Sequence, residues 1–75
     1  MFDAKVKRAG NTVATGRSQG PDGNGGIVVT GLQGVVYGGS LTIELYDDHG
    51  ALVQTIDNCQ AGISSGTAAT FHYIP

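Results

Sequence analysis

Glycine is the residue that most limits what this chain can form, because it occupies 13 of the 75 positions. It loses more backbone entropy on folding than any other residue, which makes it a poor component of helix interiors. Between the glycines lie short runs rich in valine, isoleucine and threonine, which favour strands joined by tight turns. No stretch shows a helical period. The sequence therefore predicts an all-β protein, either a small antiparallel sandwich or an incomplete barrel, with about six or seven short strands and no substantial helix.

The strand pattern is clearest at the amino terminus, where apolar and charged side chains alternate over residues 2–8. A period of two is typical of a half-buried strand. Residues 14–26 contain many glycines and little apolar surface, which predicts a mobile loop. We interpret the chain as a single β domain over residues 1–75, with a basic amino-terminal segment over residues 1–17.

The core of so short a chain is small, because a domain of about 60 residues buries only about 60% of the surface that its unfolded chain exposes. Small domains usually gain stability from disulfides, a structural metal or a partner. Cys59 is the only cysteine, so no internal disulfide can form. With only His49 and His72 beside it, the chain also falls short of a structural zinc site. A second subunit is the remaining source of stability, which predicts an oligomer or a larger assembly.

Positive charge is concentrated near the amino terminus. The first 20 residues contain all four basic residues and one acidic residue, a net charge of +3, whereas the remaining 55 contain five acidic residues. Complementary potentials set the register between protein partners. The split therefore predicts that the basic segment meets the acidic body of a neighbouring subunit. A net charge of −2 and a pI near 5.3 argue against a dedicated nucleic-acid binder.

The most chemically suggestive stretch is Asp47-Asp48-His49, which has the residue types of a metal or catalytic cluster. Followed by Gly50, these residues also suit a type I turn with a left-handed glycine and a G1 bulge. A catalytic or metal role would need converging ligands from elsewhere in the chain, and the sequence offers none. We therefore predict a hairpin tip whose three polar side chains are dispensable for activity, in a protein that is not an enzyme and holds no metal or cofactor.

That hairpin predicts which residues of the flanking strands face each other. The expected pairs are, on one face, Leu45 with Val53 and Ile43 with Thr55, and on the other, Tyr46 with Leu52, Glu44 with Gln54 and Thr42 with Ile56. A one-sided sheet would keep the second face polar, yet it carries three large apolar residues. The predicted partner interface therefore consists of Lys5, Lys7, Arg8, Arg17, Tyr46, Leu52 and Ile56.

Two other features have alternative interpretations. The stretch from Asp22 begins like a calcium loop, but its twelfth position is Gln33, which lacks a carboxylate. It also lacks the Gly-Lys-Ser/Thr ending of a phosphate-binding loop, so we interpret it as a turn. Cys59 with a histidine would resemble a thiol nucleophile and its base, but no third orienting residue is evident. We predict a small buried or loop cysteine, and a partly exposed strand histidine at His72.

A longer pattern covers the second half of the chain. It reads apolar-x-apolar-x-apolar-Tyr-Asp-x-x-Gly-x-apolar-Val, then Ala-Gly, then an alternating aromatic strand. Here it is formed by Ile43, Leu45, Tyr46, Asp47, Gly50, Leu52, Val53, Ala61, Gly62 and Phe71. With these residues, the stretch over residues 41–73 resembles the terminal hairpin region of immunoglobulin-like β-sandwich modules, as in flagellar hook-cap proteins and bacterial sorting tails. The resemblance implies a fold and no activity.

By overall type the chain resembles the short, glycine-rich, disulfide-free β proteins that decorate bacteriophage particles or form their minor structural parts. The expected function is therefore that of a non-enzymatic structural or assembly subunit. The alternatives are a β-sandwich binding or adhesion module that recognises a ligand or carbohydrate, and a small inhibitor that docks on an enzyme.

The expected partners are proteins, in a homo-oligomer or a larger shell or tail assembly, with no nucleic acid, membrane or small-molecule substrate. No run approaches the ~20 apolar residues of a membrane span, and no signal peptide is recognisable. The chain is expected to be made in the cytoplasm and incorporated into a virion.

Overall fold

A computed structural model describes residues 1–75 and contains six antiparallel strands. The strands are β1 (Phe2–Arg8), β2 (Asn11–Ser18), β3 (Gly26–Gly34), β4 (Leu41–Tyr46), β5 (Leu52–Ser65) and β6 (Ala68–His72). The predicted all-β class is confirmed. The chain forms no helix, and so no helical membrane span.

The strands close into a barrel with the neighbour order β1-β2-β3-β6-β5-β4, in which β4 also pairs with β1. Two three-stranded meanders, β1–β2–β3 and β4–β5–β6, are joined by a crossover through residues 35–40. Of the two architectures expected from the sequence, the barrel describes this closed sheet better than two separate layers do.

Closure depends on two strands that change partners along their length. β3 pairs with β6 through residues 26–29 and then with β2. β5 pairs with β4 through Cys59 and then with β6 from Gln60 onwards. Each strand has a left-handed residue near its change of partner, Gly31 with φ 59° and Asn58 with φ 55°. Such irregular positions bend a strand, which allows it to turn from one sheet to the next.

The barrel interior is filled by one cluster of buried apolar side chains. Phe71 is the largest of those that are fully buried. The alternation predicted for the first strand is confirmed, since Ala4 and Val6 are buried and the charged residues between them face outward. The cluster consists of Ala4, Val6, Ala14, Ile27, Val29, Leu41, Ile43, Leu45, Ile56, Cys59, Ala69 and Phe71.

The β4–β5 hairpin agrees with the predicted register only next to the turn. Tyr46 pairs with Leu52 as expected. An irregularity then makes Val53 an extra residue in β5, so that the following pairs are Leu45–Gln54, Glu44–Thr55 and Ile43–Ile56. The predicted pairs Leu45–Val53, Ile43–Thr55, Glu44–Gln54 and Thr42–Ile56 are therefore wrong. A shift of one residue turns the strand's side chains to the opposite face.

The shift exchanges an inward and an outward side chain. Ile56 is only 6% exposed and packs in the core, so its predicted place on the outer face is wrong. Val53, which was expected to face the core, is 48% exposed. The bulge places Ile56 against Ile43 and leaves Thr55 outside. The core thereby contains isoleucine at this strand, which has one methylene more than the valine it replaces.

The loop predicted over residues 14–26 is shorter in the structure. β2 continues to Ser18 and β3 begins at Gly26, so the connection is residues 19–25. Ala14 and Ser18 are both buried, which keeps the intervening segment in the barrel wall. The small side chains of this segment resembled a loop in the sequence, but in the structure they fit a crowded part of the wall.

Candidate functional site

The outer surface of β1, β4 and the first half of β5 brings together four of the seven predicted interface residues. We call it the β1–β4–β5 face and define it by Lys5, Lys7, Glu44, Tyr46, Leu52 and Val53. Lys5 lies directly across from Glu44 in the β1–β4 ladder, and Tyr46 lies across from Leu52 in the next ladder. Because the neighbouring positions Ala4, Val6 and Leu45 point into the core, these side chains point outward.

Glu44 is the centre of a polar network on this face. Its Oε1 atom accepts a hydrogen bond from the Tyr46 hydroxyl at 2.6 Å and lies 3.0 Å from Lys7 Nζ. The Tyr46 hydroxyl, followed by Lys7, lowers the pKa of Glu44, because both favour the ionised carboxylate. The same hydrogen bonds raise the pKa of Lys7 and of Tyr46. Lys5 Nζ lies 4.8 Å from the centre of the Tyr46 ring, which adds a cation–π contact.

The basic segment forms ion pairs and hydrogen bonds within its own chain, whereas the charge split predicted contacts with a neighbouring subunit. Besides the Lys7–Glu44 pair, Arg17 lies 3.3 Å from the Asp3 carboxylate. Arg8 donates to the Tyr37 carbonyl oxygen, and its guanidinium lies 4.6 Å from that ring. The pairing of β1 with β4 and with β2 therefore brings opposite charges together inside one subunit. Exposed pairs of this kind contribute little to stability but they orient side chains.

The apolar part of the face is β5 beyond the hairpin. Leu52 is 51% exposed and Val53 48% exposed, and they follow one another directly beside the half-buried Tyr46. Two neighbouring apolar side chains that are half open to water, with an aromatic ring and charges around them, have the composition of a protein-binding patch.

The two arginines of the predicted interface lie outside this face. Arg8 lies at the other end of β1, against the crossover, and Arg17 lies on β2.

We expect Glu44→Gln to lower the urea midpoint of unfolding at pH 7, because it removes the charge that Lys7 and Tyr46 stabilise. The pKa of Glu44 is lowered in the folded state, so its contribution is present above the ordinary carboxyl pKa and is lost as the pH falls through the lowered value. The difference between wild type and variant should therefore shrink towards pH 3. Asp48→Asn, at an exposed position, is the control. A difference that is independent of pH would contradict the network.

The Asp47-Asp48-His49 stretch forms a hairpin tip, as predicted. Gly50 has a φ of 79°, and its N–H donates to the Asp47 carbonyl oxygen at 3.1 Å. Asp47 Oδ1 accepts hydrogen bonds from the backbone N–H groups of His49 and Ala51, both at 2.9 Å. Nowhere in residues 1–75 do three or more His, Cys, Asp or Glu residues lie close enough together to hold a metal ion. Asp47 thus has a structural role that the sequence interpretation did not assign to it.

We expect Asp47→Ala to destabilise the protein by about 1–2 kcal/mol, because two backbone N–H groups lose a charged acceptor. Asp48→Ala should change the stability by less than about 0.5 kcal/mol, as is usual for exposed positions. Chemical denaturation of both variants measures the difference. Equal losses for the two would show that the Asp47 hydrogen bonds do not support the turn.

Cys59 lies in β5 and is fully buried, in agreement with the predicted small buried cysteine. Burial raises the pKa of its thiol to about 11, so the reactive thiolate is scarce at neutral pH. Its Sγ atom lies 3.4 Å from the Ile56 carbonyl oxygen. His72 is exposed on β6 beside the buried Phe71, as expected for an outward-facing strand residue.

A groove that the sequence interpretation missed lies where β2 and β3 separate. The last pair between them is Arg17–Thr30, and beyond it the walls enclose about 470 Å3, lined by residues that include Gln19, Asn24, Val28 and His72. Seven of the thirteen lining residues have polar side chains, three are glycines, and the apolar ones are Met1, Ile27 and Val28. The sequence feature that could have indicated this groove's loop is the pattern Asp-x-x-Gly, which occurs at residues 22–25 and again at residues 47–50.

Asp22 holds the groove's loop in the same way as Asp47 holds the hairpin tip. Its Oδ1 atom accepts from the N–H groups of Asn24 at 2.6 Å and Gly26 at 3.0 Å. These two backbone hydrogen bonds lower the pKa of Asp22. The Asp22 N–H in turn donates to the Gly26 carbonyl oxygen at 2.9 Å. The carboxylate is therefore committed to the turn, in agreement with the predicted turn.

Comparisons with protein-family models, with curated proteins and with solved structures find no match to this chain. The resemblance of residues 41–73 to immunoglobulin-like modules stays a prediction.

Proposed function

We propose that this protein is a non-enzymatic structural subunit that binds neighbouring subunits through the β1–β4–β5 face. The observation that carries the proposal is the exposed pair Leu52 and Val53 beside Tyr46, within a frame of oriented charges. The barrel core contains only 12 buried apolar residues, so additional burial against a partner would add substantially to stability.

The context that we propose is a virion, in which the chain acts as a decoration or minor structural protein after synthesis in the cytoplasm. Its fold of six strands, its 13 glycines and its free cysteine support this type of protein. The partner is then either a second copy of the chain or a shell or tail protein. Capsid or tail genes beside the coding sequence would support this context, and a cell-surface adhesion operon would oppose it.

The free energy gained by burying this face is large compared with the stability of a small domain. Apolar surface contributes ~25 cal/mol for each Å2 that is removed from water. Covering the exposed parts of Tyr46, Leu52 and Val53 would therefore supply on the order of a few kcal/mol, compared with a typical domain stability of about 5–15 kcal/mol. The Lys7–Glu44 pair and the Lys5–Tyr46 contact hold the surrounding side chains in place before binding.

The test is the association of the purified chain with itself or with isolated virus particles, measured by sedimentation velocity. We expect the double variant Tyr46→Ser with Leu52→Ser to weaken association at least tenfold while the far-ultraviolet circular dichroism stays that of a β protein. The matched control removes exposed apolar side chains elsewhere, with Val35→Ser and Ile63→Ser, which are 71% and 80% exposed in the wild type. Equal effects of the two double variants would contradict the proposed face.

The groove favours a second candidate function, the recognition of a small polar ligand such as a carbohydrate. Amide and hydroxyl groups from Gln19, Asn24, Thr30 and Thr70 line it next to the apolar Val28. Such a mixture suits sugars, which combine hydroxyl groups with apolar faces. Titration with mono- and disaccharides, followed by amide chemical shifts, should then move signals around residues 19–28. Absence of any shift at millimolar sugar would exclude this function for the sugars tested.

A further inference from the structure

The first half of β5 has a neighbouring strand on only one side. Residues 52–59 pair with β4, whereas the pairing of β5 with β6 begins at Gln60. None of the main-chain hydrogen bonds outside the strand ladders involves residues 52–58. In a strand, the N–H and C=O groups of successive residues point alternately to the two sides. Between the two irregularities of this ladder, at Val53 and at Asp57–Asn58, the segment therefore presents alternate main-chain groups to the open side.

Nothing in the chain covers this edge. Leu52, Val53, Gln54 and Thr55 are all exposed, although they are consecutive residues of a strand. The carboxyl-terminal residues border only its far end, where Tyr73 and Ile74 line a cavity with Asn58 and Gln60, while the Tyr73 N–H donates to the Gly25 carbonyl oxygen. An uncovered edge strand with apolar side chains is a template for pairing with another chain.

Two other openings in the barrel wall are closed by the chain itself. The Leu32 N–H donates to the Thr67 carbonyl oxygen at 2.7 Å, and the Ala61 N–H donates to the Gly38 carbonyl oxygen at 2.7 Å. The opening between β2 and β3 is bordered by the loop of residues 19–25. The segment lacks the lysine and proline that commonly block edge strands, and its only charge is Asp57, so its protection is limited to the irregularities at Val53 and at Asp57–Asn58.

We propose that residues 52–58 of β5 pair in antiparallel orientation with the same segment of a second copy of this chain. Asp57 supports this occupant and this direction. In an antiparallel pair the two Asp57 carboxylates lie at opposite ends of the shared ladder, whereas a parallel pair would place them side by side. Antiparallel pairing about a twofold axis also lets both copies use the same surface, as closed dimers do. Leu52 and Val53 of each copy then lie opposite Asn58 and Asp57 of the other, which removes part of their surface from water.

This pairing rests on the proposed assembly function and identifies its partner and contact. Gln54→Lys places a charge on the edge and should raise the dissociation constant of the wild-type dimer about tenfold or more. The matched control is Gln33→Lys, at an exposed position of β3 that already pairs with Thr15 of β2. Its dissociation constant should stay within about twofold of wild type. Sedimentation velocity over a range of concentrations measures all three proteins.

Pairing direction is tested by spin labels on Thr55→Cys and, separately, on Asp57→Cys. The native Cys59 is fully buried and stays unlabelled. Because a strand rises about 3.4 Å per residue, antiparallel pairing centred near Thr55 makes the distance between Asp57 labels longer than that between Thr55 labels by up to about 13 Å. Equal distances at the two positions would overturn the antiparallel arrangement.

The outcomes separate the edge contact from the assembly function. Loss of association in Gln54→Lys but not in Gln33→Lys, together with unequal label distances, supports the pairing. If Gln54→Lys associates normally while Tyr46→Ser with Leu52→Ser does not, edge pairing is overturned and assembly through the β1–β4–β5 face stands. If the wild type stays monomeric at millimolar concentration yet binds isolated particles, self-pairing is overturned and the assembly function stands. If it does neither, both are overturned.

Discussion

Replacement of Phe71 by alanine should remove most of the protein's stability. Phe71 is the largest fully buried side chain and lies on β6, between β3 and β5. Phenylalanine-to-alanine changes in cores cost about 3–5 kcal/mol, through lost burial and the cavity left behind. A domain of this size has a total stability near the lower end of the usual range of about 5–15 kcal/mol, so little would remain.

Urea denaturation at 25 °C, followed by circular dichroism, measures this loss. The matched control is Ile63→Ala, since Ile63 is 80% exposed and its truncation should change the stability by less than about 0.5 kcal/mol. A loss below about 1 kcal/mol for Phe71→Ala would mean that Phe71 does not fill the barrel interior.

Replacement of Gly34 by alanine should cost about 3 kcal/mol or more, because two penalties combine at one position. Gly34 has a φ of 120°, a conformation that residues with a side chain rarely adopt. An added Cβ would also meet the Val13 carbonyl oxygen and would lie 2.7 Å from Ala14 Cα. These are backbone atoms of the paired strand β2, so relief would require the β2–β3 ladder to open.

The control for Gly34→Ala is Gly66→Ala, which separates backbone strain from the clash. Gly66 has a φ of 59° and open space around its Cα, so alanine there should cost only about 1 kcal/mol. Both losses can be measured by urea denaturation, and amide exchange of residues 13–15 would report whether the ladder opens. Equal losses at the two glycines would show that β2 and β3 are not in close contact at Gly34.

Features that depend on neighbouring residues were predictable from the sequence. The alternation over residues 2–8 identified β1, and Asp47 to Gly50 identified the hairpin tip. Both follow from local chemistry, because strand period and turn residues constrain a few adjacent positions. The bulge at Val53 was not predictable in this way. It is set by which side chain best fills the barrel beside Ile43, and that depends on the closed fold.

The candidate site was predictable only in part, because its contacts join segments distant in the sequence. The charges of Lys7 and Glu44 suggested attraction between subunits, whereas the pairing of β1 with β4 brings them 3.0 Å apart within one chain. The open edge of β5 likewise follows from closure of the barrel, since β6 reaches back only to Gln60. Tyr46 and Leu52 were placed correctly because they adjoin the turn, where the expected register holds.

The central claim is that the chain assembles through the β1–β4–β5 face and the edge of β5. Amide hydrogen exchange of the wild-type protein, compared between micromolar and millimolar concentration, tests this claim most directly. The amides of residues 52–58 that point away from β4 should exchange quickly in the dilute protein and become protected at high concentration, while the amides of residues 41–45, which lie between β1 and β5, stay protected throughout. Exchange that is the same for residues 52–58 at every concentration, or protection gained only around the groove at residues 19–28, would contradict it.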